Sequence, residues 1–254
     1  MSVYEVVFSP TGGVRRASDI FMKSFSAQSR FVDLTDAHLD FSAFSFGEED
    51  VCVVSVPSYG GRVPAVAVSR LRQMRGNGAR AILLAVYGNR AYDDTFAELE
   101  DVLTQSGFQC AAGVAAIAEH SIMRQFAAGR PDEQDEKELA GFAIRIRAHL
   151  DAGKASKGPD FPGNRPYREY GGVPMKPRAG KACVQCGLCA QKCPVGAIPS
   201  ESPSKTDAER CISCMRCIAI CPNKARSVSK MLLEAGSMKL KKACQERKSN
   251  ELFL

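Results

Sequence analysis

Through the first 150 positions, apolar residues come in short runs separated by amphipathic stretches of helical period. Residues 3–8 read as a strand, and Ser9, Pro10, Thr11, Gly12 and Gly13 form a tight turn. The helix that follows carries Val14, Ala17, Phe21 and Phe25 on one face, at spacings of three and four. A second strand spans 31–34. A third, 51–56, is nearly all apolar, as a strand buried on both faces should be. A helix over 64–74 starts with a proline in its first turn. A strand over 80–86 precedes a helix over 94–106 that turns Phe96, Leu99, Val102 and Leu103 inward. The fifth strand is 108–117, and the last helix, 132–150, has Leu139, Phe142, Ile146 and Leu150 on its buried stripe. The acidic run 132–138 reads as a solvated first turn favoured by the helix dipole. This alternation predicts an α/β domain over 1–152, a five-stranded parallel sheet with helices on both faces. Its ligand is expected beyond the carboxyl ends of the strands.

Periodicity then stops. Residues 153–178 gather glycine, proline, lysine and arginine and read as a linker, with Phe161, Tyr167 and Tyr170 as aromatics able to dock on a domain surface. A compact cysteine-rich unit occupies 179–228. Residues 229–254 form a basic tail, helical over 229–249, with Met231, Leu232, Ala235 and Met238 on one side. Its last residues, Glu251, Leu252, Phe253 and Leu254, are too apolar to stay free in water, so the tail is expected to pack on the body or on a partner.

Net charge sharpens this division. The chain is +6 overall, but residues 1–150 hold 15 Lys+Arg against 19 Asp+Glu, whereas 151–254 hold 19 against 9. The basic half lacks base-stacking or groove-reading motifs, so charge balance and solvation explain it before nucleic acid does. A basic face for an acidic redox partner is a further expectation. No apolar run reaches membrane-spanning length, and eleven cysteines without a secretory signal predict a reducing cytoplasm. Cys52 and Cys110 sit in apolar runs and read as buried thiols, and Cys244 as an exposed one. His38 and His149 read as solvated, and His120 as a loop residue after the fifth strand. No nucleophile–base arrangement is evident, so no catalytic residue is assigned.

The other eight cysteines carry the strongest signal. Cys183, Cys186, Cys189 and Cys193, followed by Pro194, repeat as Cys211, Cys214, Cys217 and Cys221, followed by Pro222. Structural zinc needs two separated pairs, and disulfides suit secreted chains. The doubled C-x2-C-x2-C-x3-C-P run instead resembles the two-cluster bacterial ferredoxins, in which the fourth cysteine of each run ligates the other cluster. That resemblance implies two [4Fe–4S] clusters, one on Cys183, Cys186, Cys189 and Cys221, the other on Cys211, Cys214, Cys217 and Cys193.

Three loops at the carboxyl end of the predicted sheet carry the remaining chemistry. Around Ser9, Thr11, Gly12, Gly13 and Val14 a strand turns through glycines into a helix N-terminus, so backbone N–H groups and the dipole converge as in a phosphate nest. Ser58, Tyr59, Gly60 and Gly61 offer one aromatic face, and Tyr87, Gly88, Asn89, Tyr92 and Asp93 another. Two aromatic planes beside a phosphate nest suit FMN. This half resembles the flavodoxins. The resemblance implies strand order 2-1-3-4-5 and an isoalloxazine held between the second and third loops. Val14 stands where that family has a hydroxyl, forfeiting phosphate hydrogen bonds of about 1.5–3 kcal/mol each. Arg15 and Arg16 are the candidates to compensate.

Together the halves resemble single-chain flavodoxin–ferredoxin fusions, with a small α+β two-cluster ferredoxin domain after the flavodoxin-like one. The resemblance implies a cytoplasmic electron carrier of anaerobic metabolism, passing electrons between clusters, FMN and an external redox partner protein. Two alternatives remain open: an FMN-dependent reductase of a small-molecule acceptor, and a ferredoxin module whose flavin-free first domain serves docking.

Overall fold

The computed structural model describes residues 2–153 and 158–254. Of the linker 153–178, residues 154–157 therefore lie outside the described residues. The first half alternates β1 (Val3–Val7), α1 (Gly13–Phe25), β2 (Arg30–Asp33), β3 (Val51–Pro57), α2 (Ala65–Leu71), β4 (Arg80–Tyr87), α3 (Thr95–Gln105), β5 (Gln109–Ile117) and α4 (Glu133–Asp151). The second half holds the short elements β6 (Arg178–Ala179), α5 (Leu188–Gln191), α6 (Arg216–Ala219) and β7 (Arg226–Ser227), then α7 (Lys230–Cys244) and β8 (Glu251–Phe253). Among the described residues, no helix is long and apolar enough to cross a membrane.

Strand order is β2-β1-β3-β4-β5-β8, the first five parallel and β8 antiparallel to β5. Side chains alternate across each strand, so the sheet has two cores. Val54, Leu83 and Ile117 pack with Leu71 of α2 and Phe96, Leu99 and Leu103 of α3. Val53, Leu84 and Val114 pack with Ala17 and Phe21 of α1 and Leu139 and Ile146 of α4. β3 is buried along its whole length because both faces are covered.

The linker and tail both dock on this body. Phe161 lies parallel to Phe96, with ring centroids 5.5 Å apart. Gly113 makes room for it, since a Cβ there would sit 2.4 Å from the Phe161 ring. The tail packs back as expected: β8 adds a sixth strand and sets Phe253 edge-on against Phe96 at 5.1 Å. The inner face of α7 differs from the expected one. Met231 and Met238 are each 73% exposed, whereas Leu232, Leu233 and Leu240 pack on Met123 and Met175. Gly236 sets that orientation, because a Cβ on it would lie 2.5 Å from the methyls of both Met123 and Met175. Cys244, expected to be exposed, is buried at the foot of the same contact.

The acidic start of α4 is also more than a solvated turn. Asp132 caps the helix in a reciprocal box with Asp135. Asp135 is fully buried, where it accepts from Arg130 Nε at 2.8 Å and Asn250 Nδ2 at 2.9 Å. Asn250 Oδ1 in turn accepts from the Ile117 backbone N–H at 2.9 Å, which fixes the register of β8. Burial alone would raise the Asp135 pKa, but hydrogen bonds from Arg130, the Asp132 backbone and Asn250 hold it below the ordinary carboxylate value. A depressed folded-state pKa contributes stability that is complete above the unfolded value of about 3.9 and is lost as pH falls through the folded value. Acidification from about pH 5 to about pH 2 should therefore release the tail, read as faster hydrogen exchange at residues 251–253 once the intrinsic pH dependence of exchange is divided out. Asp135→Asn should expose Arg247 and Lys248 to trypsin at neutral pH. Wild-type cleavage rates in that variant would contradict this account of the anchor.

Candidate functional site: a cleft beside two cysteine-ringed cavities

The carboxyl ends of β1, β3, β4 and β5 open into one cleft of about 230 Å³. Between its lining residues Thr11 and Gly13, Gly12 adopts φ +93° and turns β1 into α1 without a side-chain cap. The backbone N–H groups of Thr11, Gly12, Gly13 and Val14 find no acceptor among the described residues. Ser9 Oγ accepts from the Arg15 N–H at 2.9 Å, which closes the turn and leaves its own proton free to donate. Four unpaired N–H groups at the positive end of a 13-residue helix fit a phosphate. Arg15 does not compensate for Val14: its guanidinium pairs with Asp19 at 2.6 Å and lies over Phe31 at 3.9 Å. Arg15 and Arg16 line a depression on the other side of the turn.

Thr11, Gly13, Val14, Ser58, Tyr59, Gly60, Tyr87 and Gly88 all line the cleft. Ser9, Gly12, Gly61, Asn89, Tyr92 and Asp93 lie outside that lining, each with other contacts or at its margin. Asn89 donates to the Cys244 and Glu246 carbonyls at 2.9 and 2.7 Å, so it anchors the tail. Tyr92 stands edge-on behind Tyr87 and donates its hydroxyl to Glu251 at 3.0 Å. Asp93 pairs with Arg168 at 2.6 Å and sits where a Cβ on Gly61 would be. The aromatic walls are thus Tyr59 and Tyr87. Burial raises the Tyr59 phenol pKa well above its ordinary value, with the nearby Cys214 and Tyr170 adding to the effect.

His120 also lines the cleft, and its Nδ1 accepts from the Ile122 and Met123 N–H groups at 3.2 Å each. Burial lowers its pKa, so the neutral ring carries its proton on Nε2. The rest of the wall comes from distant segments: Tyr170, Val173 and Met175 of the linker, Ile212 and Ser213 of the cysteine-rich unit, and Leu240 of α7. No local pattern marks these six positions. The only sequence signal among them is the aromatic Tyr170 in a proline-rich stretch.

The cysteine-rich unit is a repeated structure. Gln185 and Ser213, each preceding the second cysteine of its run, both take φ +55°. Gly187 and Met215, each following it, take +77° and +62°. The Ala197 N–H reaches Cys193 Sγ at 3.3 Å, and the Ala225 N–H reaches Cys221 Sγ at the same distance. Two cavities result. One is ringed by Cys183, Cys186, Cys189 and Cys221, the other by Cys193, Cys211, Cys214 and Cys217. All eleven cysteines are free. Among the described residues no three His, Cys, Asp or Glu side chains close to single-ion spacing. Four thiols spread around one cavity, with backbone N–H groups aimed at sulfur, are the donor set of an iron–sulfur cube.

Residues 182–226 match the family model of the 4Fe-4S dicluster domain. A 44-residue segment is 46% identical to one of the subunits of the ion-translocating oxidoreductase complex of Methanosarcina acetivorans, an alignment that spans 17% of either chain. Among solved structures, the chain is similar to the Streptococcus pneumonia TIGR4 flavodoxin, at 18% identity over 58% of this chain and 99% of that one, TM-score 0.43. Flavodoxin 2 of Bacillus cereus aligns at 14% identity over the same shares, TM-score 0.42. Strand order 2-1-3-4-5 in the parallel part of the sheet gives the first half its fold, and the family match gives the second. This chain joins a flavodoxin-like α/β fold to a 4Fe-4S dicluster domain. In the fusion, the ferredoxin domain and linker roof the carboxyl end of the flavodoxin-like sheet.

The roof makes close contact at Gly60. There φ is +60° and a Cβ would lie 2.3 Å from the Tyr170 ring. Gly60→Ala adds a left-handed strain of roughly 1–2 kcal/mol to that collision. It should displace Tyr170 and increase solvent access to the cleft, read as faster iodide quenching of tyrosine emission. Gly171→Ala, whose Cβ would meet nothing within 4 Å, serves as the control.

Proposed function

We propose that the fusion is an electron carrier that binds FMN in the cleft and two [4Fe–4S] clusters in the cysteine-ringed cavities. In this reading Cys183, Cys186, Cys189 and Cys221 hold a distal cluster, and Cys193, Cys211, Cys214 and Cys217 a proximal one. The observation that carries it is the position of Ile212 and Ser213. They lie between two of the proximal cysteines in sequence and also line the cleft that contains the N–H nest. Flavin and cluster chemistry would therefore share a wall.

When bound, the clusters supply one-electron steps and the flavin accepts one or two electrons. The chain's own residues position and insulate. Thr11, Gly13 and Val14 offer backbone N–H groups to a phosphate. Tyr59 and Tyr87 flank the flat part of the cleft, and Tyr170 with Met175 excludes water from above. The Lys176 ammonium bonds the Cys211 carbonyl at 2.5 Å and so orients the proximal loop. The distal loop faces outward, with Val184 67% exposed and Cys186 exposed, which suits contact with an external redox partner. The similarity of this segment to a component of an oxidoreductase complex supports electron transfer as the class of chemistry. A roofed cleft favours a carrier over a reductase open to diverse small molecules.

Anaerobic purification followed by flavin, iron and sulfide analysis tests the reading directly. One FMN with about eight iron and eight sulfide is expected. Eight iron without flavin, even after incubation with FMN, would leave the first domain as a docking scaffold. Val14→Thr places a hydroxyl beside the nest and should tighten FMN binding by more than about tenfold, for one added hydrogen bond of about 1.5–3 kcal/mol to a charged group. Quenching of FMN fluorescence on titration into apoprotein reads this, and unchanged affinity would remove Val14 from the phosphate site.

A further inference from the structure

The cleft contains a hydrogen-bond donor that the protein itself leaves unused. His120 follows β5, and its Nδ1 accepts from the Ile122 and Met123 backbone N–H groups at 3.2 Å each. A ring nitrogen that accepts cannot also carry the proton, so this geometry alone puts the proton on Nε2. Burial and the Arg90 charge both lower the His120 pKa and act in the same direction. Among the described residues, the buried side-chain nitrogens and oxygens without a partner are Arg216 Nε and Arg226 Nε. His120 Nε2 also lacks a partner but is not among them, so its proton opens onto the cleft that the ring lines.

The ring is held in that orientation. Its Cβ, Cγ and Cδ2 side lies on Gly88, where an added Cβ would come within 2.7–2.8 Å of those atoms. Phe126 stands edge-on to the ring at 6.5 Å. Flipping the imidazole would bring Cδ2 to the place of Nδ1 and strip the Ile122 and Met123 N–H groups of their acceptor.

The surroundings leave this proton for a ligand. Glu119 is the only acid of the lining among the described residues, and it is taken by Arg124 and by the Gly129 N–H at 3.2 Å. The position also selects which part of a ligand is met. Ala118 is the residue beside the phosphate nest, since a Cβ on Gly13 would lie 3.5 Å from its own. His120 is two residues farther on and packs against Gly88, which directly follows the aromatic wall residue Tyr87. The nest and the imidazole are thus separate donor points, one suited to a phosphate and the other set beside the aromatic wall.

We infer that His120 is a specificity-determining donor whose Nε2–H binds a carbonyl oxygen or ring nitrogen of the flat ring held in the cleft. The inference rests on the FMN reading proposed above. The dimethylbenzene edge of an isoalloxazine offers no acceptor, whereas its pyrimidine edge offers several. One fixed proton in the wall therefore also selects which edge of the ring turns toward β5.

The test is flavin binding to the full chain after removal of bound flavin, read by quenching of FMN and riboflavin fluorescence. Riboflavin has the same ring without the phosphate, so it separates the two donor points. His120→Asn keeps an acceptor oxygen for the Ile122 and Met123 N–H groups and removes the donor at Nε2. It should weaken FMN and riboflavin by the same factor, about threefold to tenfold, for one hydrogen bond lost. His120→Gln gives up the Nδ1 acceptor but carries an amide N–H to the place of Nε2, and should recover most of the affinity. A residue that merely held the turn would show the reverse order, with Gln weaker than Asn. That reversed order, wild-type affinities in His120→Asn, or a loss for FMN alone would overturn the donor role and leave the FMN reading standing. Wild-type protein that binds neither flavin would overturn both.

Discussion

Asp94 opens α3, yet its carboxylate does not cap that helix. Both oxygens are taken instead by the linker: Oδ1 accepts from the Asn164 N–H at 2.7 Å and Oδ2 from the Arg168 N–H at 2.7 Å. A helix cap is worth about 0.5–2 kcal/mol, and α3 forgoes it so that a buried carboxylate can fix a chain segment some seventy residues away. Burial opposes the charge on Asp94, but the donated N–H groups outweigh it and hold the pKa below the ordinary value. Next to it, Arg62 clamps Glu98 with two bonds of 2.7 and 2.8 Å and donates to the Arg168 carbonyl at 2.7 Å. Charge-assisted bonds of this kind set direction as well as energy. They deliver Tyr170 onto Gly60, where the second half of the chain first meets the cleft.

The second half is held unevenly as a result. The proximal loop is tied down from three sides. Arg70 of α2 reaches the Pro194 carbonyl at 2.6 Å, Lys176 takes the Cys211 carbonyl, and Ser213 donates to the Val173 carbonyl at 3.3 Å. The distal loop has no comparable clamp on the flavodoxin-like body among the described residues, and its Val184 and Cys186 face solvent. The two runs have the same cysteine spacing and the same backbone turns, so their difference comes from what surrounds them. A symmetric repeat becomes directional when one copy is buried against another domain and the other is left outward.

Much of this was legible in the sequence, for physical reasons that differ by region. Sheet strands such as 51–57 and helix faces such as Phe96, Leu99 and Leu103 are readable because burial imposes a period on the chain. The cysteine runs are readable because cluster geometry fixes spacing. Contacts between distant segments leave no such trace. Asn89 sits in a loop that resembles a flavin loop, but its amide is taken by carbonyls of the tail, which lies more than 150 positions away. Asp135 looks like one more acid in a solvated run until Asn250 and Arg130 close over it. The inner face of α7 depends on Gly236 meeting two methionines from elsewhere, and helical period alone favoured the methionines of the helix itself. β8 spans only three residues, too few for a period, though its apolar content did signal that it would be covered.

The charge imbalance between the halves takes on a different meaning in this light. Arg165 pairs with Glu100 and Asp101 at 2.8 and 2.7 Å, Arg168 with Asp93, and Arg247 with Asp132 at 2.7 Å. In each case a cation of the basic half meets an anion of the acidic half. Such partly exposed pairs contribute at most about 1 kcal/mol each, so they do not bind the halves together. Burial of Phe161, Phe253 and the α7 leucines does that. What the pairs supply is selectivity, because a linker or tail shifted along the surface would set like charges against each other. Arg70 and Arg226 are drawn inward, Arg70 to the Pro194 carbonyl and Arg226 to the Pro203 carbonyl and Cys189 Sγ. Exposed lysines then remain along the cysteine runs, at positions 181, 192 and 224. The excess positive charge of the second half is thereby divided among ion pairs that hold the fold in register, buried guanidiniums that bond interior acceptors, and lysines left exposed along the cysteine runs.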